Sequence, residues 1–343
     1  MSEPTEGAPM PVIDMHAHVT PERYKKAIAE TGSWYGLDST VGELGLGGFS
    51  DSVETRLAGM DADGVDMQLL SANAGFYQYF NDLETTKAIA RECNEEIAEM
   101  VVERPDRFMG LANVPMQDVP TAIAEMEYAI TELGLKGVMI NDSAAGDTYD
   151  ELKFVPFFKA AEALGAIVFF HQGGGTLVNH RIERYKLGNS VGNLTERALV
   201  FGALVFGGVM DKCPDLKPLL AHGGGYTPYG AVRMDKVCGA LDRVDPADPL
   251  TPRFGRRPDE HFDLQNAPTD YLDKFHYDCC TYDGGILRFL IDRVGIDQVV
   301  LGTDTPAPMA LPTPVDWIRG LTELSDMERD AILINNPMKL CGL

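Results

Sequence analysis

Close to its amino end the chain reads VIDMHAH (residues 12–18), a short run that opens with two β-branched side chains. Its polar residues stand at every second position, which is the period at which the side chains of a β-strand share one face. Seven further short apolar runs follow, and longer segments whose apolar residues recur every three or four positions lie between them. The run at residues 12–18 therefore predicts the first of eight strands that alternate with helices.

The predicted strands are 12–18, 65–72, 108–114, 137–141, 166–171, 216–222, 275–280 and 298–304. The predicted helices are 53–63, 83–102, 119–133, 155–164, 194–212, 228–241, 284–294 and 326–334. Parallel strands that are apolar along their whole length need helices on both faces, or a closed ring with helices outside it. We therefore predict an α/β fold, a (β/α)8 TIM barrel, with an open doubly wound sheet as the alternative.

Two predicted connections are longer than the usual loops of such a fold. Residues 19–52 separate the first strand from its helix, and residues 242–273, which are rich in Pro, Arg and Asp, precede the seventh strand. Long loops in a compact domain commonly form lids, subunit contacts or disordered insertions. Residues 1–10 show no periodic pattern, so we predict a flexible tail there and a single domain over 11–343.

The charge of the chain limits its partners. Of its 343 residues 52 are acidic and 29 basic, which gives a formal net charge of −23 at pH 7. This charge repels phosphate backbones and anionic lipid surfaces, so neither nucleic acid nor a membrane is expected as a partner. The amino end lacks the segments of a secretory signal, and the six cysteines are scattered as expected for reduced thiols. We therefore expect a cytoplasmic protein that acts on a small molecule.

Polar side chains stand where several predicted strands end, and in a barrel these ends form the site. His16 and His18 lie in the first strand, with Asp14 two residues earlier and all three expected on one face. His171 closes the fifth strand and Asp304 the eighth. Three neutral imidazoles and a carboxylate suit one divalent ion, either Zn²⁺ or Mn²⁺. The alternative, a hydrogen-bonded histidine pair in the core, requires costly desolvation without a cation.

His222 closes the sixth strand and is followed by three glycines, residues 223–225. An imidazole that stays uncoordinated beside a metal ion is suited to proton transfer, although His222 as a fifth ligand is an alternative. Glycine-rich loops at strand ends also cradle phosphate in some proteins. Neither this loop nor the one at residues 173–175 carries the Lys, Ser or Thr of a nucleotide-binding loop, so that interpretation is weak.

Together, DMHAH at residues 14–18, His171, HGGG at 222–225 and LGTD at 301–304 resemble the amidohydrolase superfamily. Within it they resemble the amidohydrolase 2 branch, which contains aminocarboxymuconate-semialdehyde decarboxylase and related aromatic-acid decarboxylases. The resemblance implies that His16, His18, His171 and Asp304 bind the metal, that His222 and Asp304 are catalytic, and that Asp14 supports the ligands from outside the set. It also implies a homo-oligomer, a dimer or larger.

The same resemblance implies the reaction, a metal-dependent non-oxidative decarboxylation of an unsaturated or aromatic carboxylic acid. Arg233 falls where the family places an arginine that binds the substrate carboxylate, in some members from the neighbouring subunit, and a guanidinium group suits a carboxylate. The alternative is metal-dependent hydrolysis or hydration of a lactone, an amide or an unsaturated acid. The substrate stays open, since TPAP follows Asp304 and residues 47–53 hold no second arginine, both of which depart from the family pattern.

Overall fold

The computed structural model of the protein describes residues 10–182, 184–241 and 264–343. Eight strands occur in the predicted order, and most are shorter than predicted because their last residues turn into the loops. The strands are β1 Ile13–Val19, β2 Met67–Ala72, β3 Phe108–Gly110, β4 Gly137–Ile140, β5 Ile167–Phe170, β6 Lys217–Leu220, β7 His276–Asp278 and β8 Val299–Val300. All the pairings between neighbouring strands are parallel.

Backbone pairing joins the strands into a ring. The strands β1 to β3 form one sheet and β4 to β8 another. Ala112, which follows β3, pairs with Val138 of β4, and Thr305, which follows β8, pairs with Ala17 of β1. The amide of His18 donates to the carbonyl of Thr305 at 2.7 Å. The two sheets therefore meet at both edges, as the predicted barrel requires and the open-sheet alternative does not.

Helices follow the strands around this ring. They are α1 Glu22–Thr31, α2 Val53–Asp63, α3 Leu83–Glu103, α4 Val119–Thr131, α5 Val155–Ala163, α6 Leu194–Phe206, α7 Val209–Lys212, α8 Thr227–Leu241, α9 Gly284–Val294, α10 Pro314–Gly320, α11 Asp326–Asp330 and α12 Asn336–Cys341. The sequence did not predict α1, α10 or α12. The prediction of a single helix over 194–212 was wrong, because Gly208 has a φ of 67° and divides this segment into α6 and α7.

Side-chain caps explain where several of the helices begin. Ser52, Asp82, Asp118 and Asp283 each precede a helix and accept a hydrogen bond from the amide three residues later. Such a cap satisfies one of the backbone N–H groups that have no partner within the helix. These four helices, α2, α3, α4 and α9, are among those that the sequence predicted.

The two predicted insertions differ in how much of them the structure describes. Residues 19–52 contain α1 and a short 3-10 turn, Gly47–Ser50. Most of the second insertion, residues 242–263, lies outside the described residues, and its remainder includes the 3-10 segment Pro268–Lys274. The predicted tail also lies outside them, apart from Met10. Within the described ranges, no helix is both long and apolar enough to span a membrane.

The helix α12 covers the amino end of the ring. Nζ of Lys136, just ahead of β4, donates to the carbonyl of Cys341 at 3.1 Å, and Sγ of Cys341 lies 3.6 Å from Sδ of Met15. Nδ2 of Asn336 donates to the carbonyl of Val299, the first residue of β8, at 2.7 Å. With this end covered, the carboxyl ends of the strands are left to build a site.

Candidate active site

Four of the predicted residues meet at the carboxyl end of the ring. His16 and His18 lie in β1, His171 follows β5 directly, and Asp304 lies beyond β8. The Nε2 atoms of His16 and His18 are 3.1 Å apart, and Oδ1 of Asp304 is 3.2 Å from each of them and 3.8 Å from Nε2 of His171. All four side chains are buried. We call these four residues the ligand cluster.

The spacing of these atoms fits a metal ion. Ligand atoms bound at about 2.1 Å in a tetrahedral site are separated by about 3.4 Å, a value that lies within the observed 3.1–3.8 Å. Nδ1 of His16 bonds to Asp278 and Nδ1 of His18 to Ser71, and the Nε2 atoms of the two rings face each other at 3.1 Å. With both Nδ1 atoms engaged in this way, both Nε2 atoms are directed at the position that a cation would occupy.

The charge state of the imidazoles supports the same conclusion. Burial lowers the pKa of His171 to about 3 and also lowers the pKa of His18, so both rings are neutral, as metal ligands must be. Neither ring nitrogen of His171 has a hydrogen-bond partner among the described residues. Burial opposes a charge on His16, yet the carboxylates of Asp304 and Asp278 outweigh it and raise its pKa to about 10. The cluster therefore favours a positive charge at its centre.

Asp278 of β7 orients His16, and the sequence reasoning did not single it out. Its Oδ2 accepts from Nδ1 of His16 at 2.7 Å and from the amide of His222 at 2.9 Å, and its Oδ1 accepts from the amide of Gly223 at 2.8 Å. Burial raises the pKa of Asp278, but its hydrogen bond with His16 prevails and the pKa falls to about 2. A carboxylate on Nδ1 fixes the tautomer whose Nε2 can bind a metal. An acid inside the apolar run FHYDCC (275–280) was the available signal.

His222 lies beside the ligand cluster without joining it. Its Nε2 is 3.4 Å from Oδ2 of Asp304, and its ring centroid is 5.5 Å from that of His16. The three glycines that follow it all have positive φ, between 57° and 70°. A Cβ on Gly225 would lie 2.3 Å from the carbonyl oxygen of Leu194. The glycines are thus required by the turn itself, which leaves the phosphate interpretation without structural support.

Asp14 does not belong to the ligand cluster. The pairing of β1 with β2 shifts register between Asp14 and Ala17, which interrupts the two-residue alternation that predicted one shared face. The Asp14 carboxylate instead accepts from Oγ1 of Thr303 at 2.7 Å, from Nε2 of Gln68 at 3.1 Å and from the amide of His16 at 3.0 Å. Burial raises its pKa to about 6. Asp14 therefore contacts the backbone that carries the ligands.

Other polar residues flank the site or lie outside it. Glu43, in the segment between α1 and α2, contacts Asn73, and both burial and the charge of Asp304 raise its pKa. The sequence reasoning missed Glu43, because residues 19–52 show no strand or helix pattern around it. Arg233 is exposed on α8, and none of the described contacts joins it to the ligand cluster.

Comparison with known proteins agrees with this geometry. The sequence model of the amidohydrolase family matches residues 13–343. The 2-amino-3-carboxymuconate-6-semialdehyde decarboxylase of Dictyostelium discoideum is 30% identical over 345 residues, which cover 96% of this chain and 91% of that one. The gamma-resorcylate decarboxylase of a Polaromonas species is 29% identical over 306 residues, which cover 85% and 88%. A solved dihydroxybenzoic acid decarboxylase from Polaromonas, with manganese and the inhibitor 2-nitroresorcinol bound, has a TM-score of 0.77 at 26% identity and covers 98% of both chains. The resemblance inferred from the motifs is confirmed, and the chain belongs to the amidohydrolase family.

Proposed function

We propose that this protein is a metal-dependent, non-oxidative decarboxylase that removes CO₂ from an unsaturated or aromatic carboxylic acid. The observation that carries the proposal is the meeting of three imidazoles and the Asp304 carboxylate at one point, with the imidazole of His222 beside them. Relatives named as decarboxylases of an aminocarboxymuconate semialdehyde and of gamma-resorcylate support it.

The ligand cluster would hold one divalent ion, for which Zn²⁺ and Mn²⁺ are both suitable. When bound, the ion supplies a Lewis acid that polarises an oxygen of the substrate. The manganese in the related dihydroxybenzoic acid decarboxylase supports an ion of this kind. Reloading metal-free protein with each ion, and measuring both bound metal and CO₂ release, decides between the two.

We assign proton transfer to His222 and Asp304. Oδ1 of Asp304 faces the three imidazoles of the ligand cluster, whereas its Oδ2 lies 3.4 Å from Nε2 of His222. A proton held between these two atoms is delivered to the substrate carbon that carries the carboxylate. The bond from that carbon to the carboxylate then breaks, its electron pair restores the ring or alkene, and CO₂ leaves. The reaction consumes one proton and needs no oxidant.

The substrate carboxylate would be bound by Arg233 of a neighbouring copy of the chain, in a homodimer or larger homo-oligomer. Arg233 is exposed on α8, where Tyr229 and Val232 beside it are 78% and 45% exposed. Exposed apolar and aromatic side chains around an arginine are typical of a surface between subunits. Light scattering tests the assembly. Co-expression of Arg233→Ala with His222→Asn chains should restore part of the activity that each variant lacks alone.

A cytoplasmic location is part of the same proposal. The buried cysteines Cys93, Cys213, Cys279, Cys280 and Cys341 form no disulfide among the described residues. Thiols persist in reducing compartments, which supports the location. Fractionation of cells that express the protein tests it.

In the decisive experiment, each of a panel of hydroxybenzoates and carboxymuconates is added to the metal-loaded protein, and the release of CO₂ is measured. At least one acid should lose CO₂, and in D₂O its product should carry deuterium at the carbon that lost the carboxylate. Failure of every acid with either ion contradicts decarboxylation. Incorporation of oxygen from labelled water, with all carbon atoms retained, would instead identify hydrolysis or hydration.

A further inference from the structure

A cavity of about 280 Å³ lies between α2 and the chain that follows β8. Residues of α2, from Thr55 to Asp63, line one side, and Thr303, Thr305 and residues 310–312 line the other. None of the ligand cluster is among the residues that line it. The cavity is therefore distinct from the candidate active site, and Arg56 lies in the wall that faces the site.

Arg56 connects the wall of this cavity to β1. Its Nη1 donates to Oε1 of Gln68 at 3.0 Å, and its Nη2 donates to the backbone carbonyl of His18. A guanidinium group stays charged at neutral pH and presents its donors as a rigid fork. Hydrogen bonds from a charged donor are stronger than neutral ones. The carbonyl of a candidate metal ligand is therefore held by a fixed cation.

A series of hydrogen bonds also connects Arg56 to His16. Nε2 of Gln68 donates to Oδ2 of Asp14 at 3.1 Å, and Oδ1 of Asp14 accepts from the amide of His16 at 3.0 Å. The regular pairing of β1 with β2 is interrupted between Asp14 and Ala17, so His16 has no partner residue in that ladder. Side-chain hydrogen bonds here take the place of backbone pairing.

We propose that Arg56 is a positioning residue for the metal centre. It holds β1 directly at the carbonyl of His18, which pairs regularly with β2, and indirectly, through Gln68 and Asp14, at the irregular stretch that includes His16. Residues 14–18 of β1 carry two of the four candidate ligands, so their conformation sets whether the two Nε2 atoms meet. Arg56 touches neither the substrate nor the ion. The inference rests on the proposed metal site but not on the reaction.

The test measures how tightly the Arg56→Ala protein binds Zn²⁺, by competition with a chromophoric chelator. Loss of a group that orients ligands typically weakens metal binding about ten- to hundredfold, and we expect that loss here. The visible spectrum of the Co²⁺-loaded variant should also change, because the ligand geometry changes. Guanidinium chloride at millimolar concentration, well below the molar range that unfolds proteins, should restore the affinity by entering the enlarged cavity. Urea should not restore it, because it carries no charge.

Two further variants separate positioning from stability. Arg107→Ala is the matched control, since Arg107 donates to the carbonyls of Asp66 at 2.7 Å and Val65 at 3.4 Å, away from the segment that carries the ligands. It should leave Zn²⁺ affinity unchanged. Arg56→Lys keeps the charge but not the two-pronged donor, so it should bind Zn²⁺ more weakly than the wild type even if Arg56→Ala fails to fold.

Three results would overturn the proposal. The first is that Arg56→Ala binds Zn²⁺ as tightly as the wild type. The second, which applies where the alanine variant does not fold, is that Arg56→Lys binds Zn²⁺ as tightly as the wild type. The third is that Arg107→Ala loses as much affinity as the Arg56 variant. A wild-type protein that binds Zn²⁺ and releases no CO₂ refutes the proposed reaction and leaves this test intact. A wild type that binds no divalent ion overturns both.

Discussion

Replacing Asp278 with Asn removes a negative charge from the core with almost no change in side-chain size. The carboxylate accepts four hydrogen bonds at 2.7–3.0 Å: Oδ2 from His16 and the amide of His222, Oδ1 from the amides of Gly223 and Cys280. An Asn side chain has one accepting oxygen and one donating nitrogen. Whichever way the amide is turned, two of the four donors then face another donor.

The expected loss of stability follows from the number of hydrogen bonds that are lost. A hydrogen bond to a charged group contributes about 1.5–3 kcal/mol, so two lost bonds cost about 3 kcal/mol or more in the free energy of unfolding. The neutral amide also holds His16 less firmly and makes its Nε2 less basic. We expect metal affinity to fall about ten- to hundredfold, the usual effect of removing a partner of a ligating histidine.

Two measurements on Asp278→Asn check the reasoning, metal affinity by chelator competition and the unfolding free energy of metal-free protein in urea. Asp283→Asn is the matched control. Asp283 caps α9 by accepting from the amide of Ile286 at 3.0 Å, and Asn caps helices equally well. If Asp278→Asn binds metal as tightly as the wild type, Asp278 does not orient His16.

Three further predictions concern other residues. His222→Asn should keep one ion per chain and lower the rate of CO₂ release about a hundredfold or more, since proton-transfer groups contribute that much; loss of the ion would make His222 a ligand instead. Glu43→Gln should lower KM for an anionic acid about threefold, because the Glu43 carboxylate lies near Asp304 and repels a further negative charge; an unchanged KM contradicts this. Burial lowers the pKa of His276 from 6.5 to about 4, so the unfolded chain binds more protons between these values and stability is lost as the pH falls from 6.5 through 4. The unfolding free energy in urea should therefore drop less between pH 7 and pH 5 for His276→Asn than for the wild type, and equal drops would refute this account.

Much of the fold could be predicted because its strands and long helices carry local patterns. A strand such as β5, IVFF at Ile167–Phe170, is apolar throughout and is followed directly by the polar residue His171. The missed helices α10 and α12 have seven and six residues, too few for a periodic pattern to stand out. Such short helices depend on contacts with the rest of the protein, such as that of Asn336 with the first residue of β8.

The residues of the site also differ in whether a local sequence pattern predicts them. His16, His18, His171 and Asp304 could be found because each is a polar residue at the end of an apolar run. Asp278 could not be assigned, since its partner His16 lies 262 residues away in the chain and only the closed ring brings them together. The resemblance placed Asp14 outside the ligand set, but the expectation that it shares one face with His16 and His18 was wrong, because the pairing of β1 with β2 is irregular there and the sequence of one strand does not reveal this.

The covering of one end of the ring by α12 has a practical consequence for immobilised catalysts. Leu343, which follows α12, is 46% exposed and lies at the end of the barrel opposite the ligand cluster. A linkage made at residue 343 would attach the protein to a bead or an electrode by its closed end. The entrance would then point towards the flowing solution, where dissolved acid can enter and gas can escape without crossing the support.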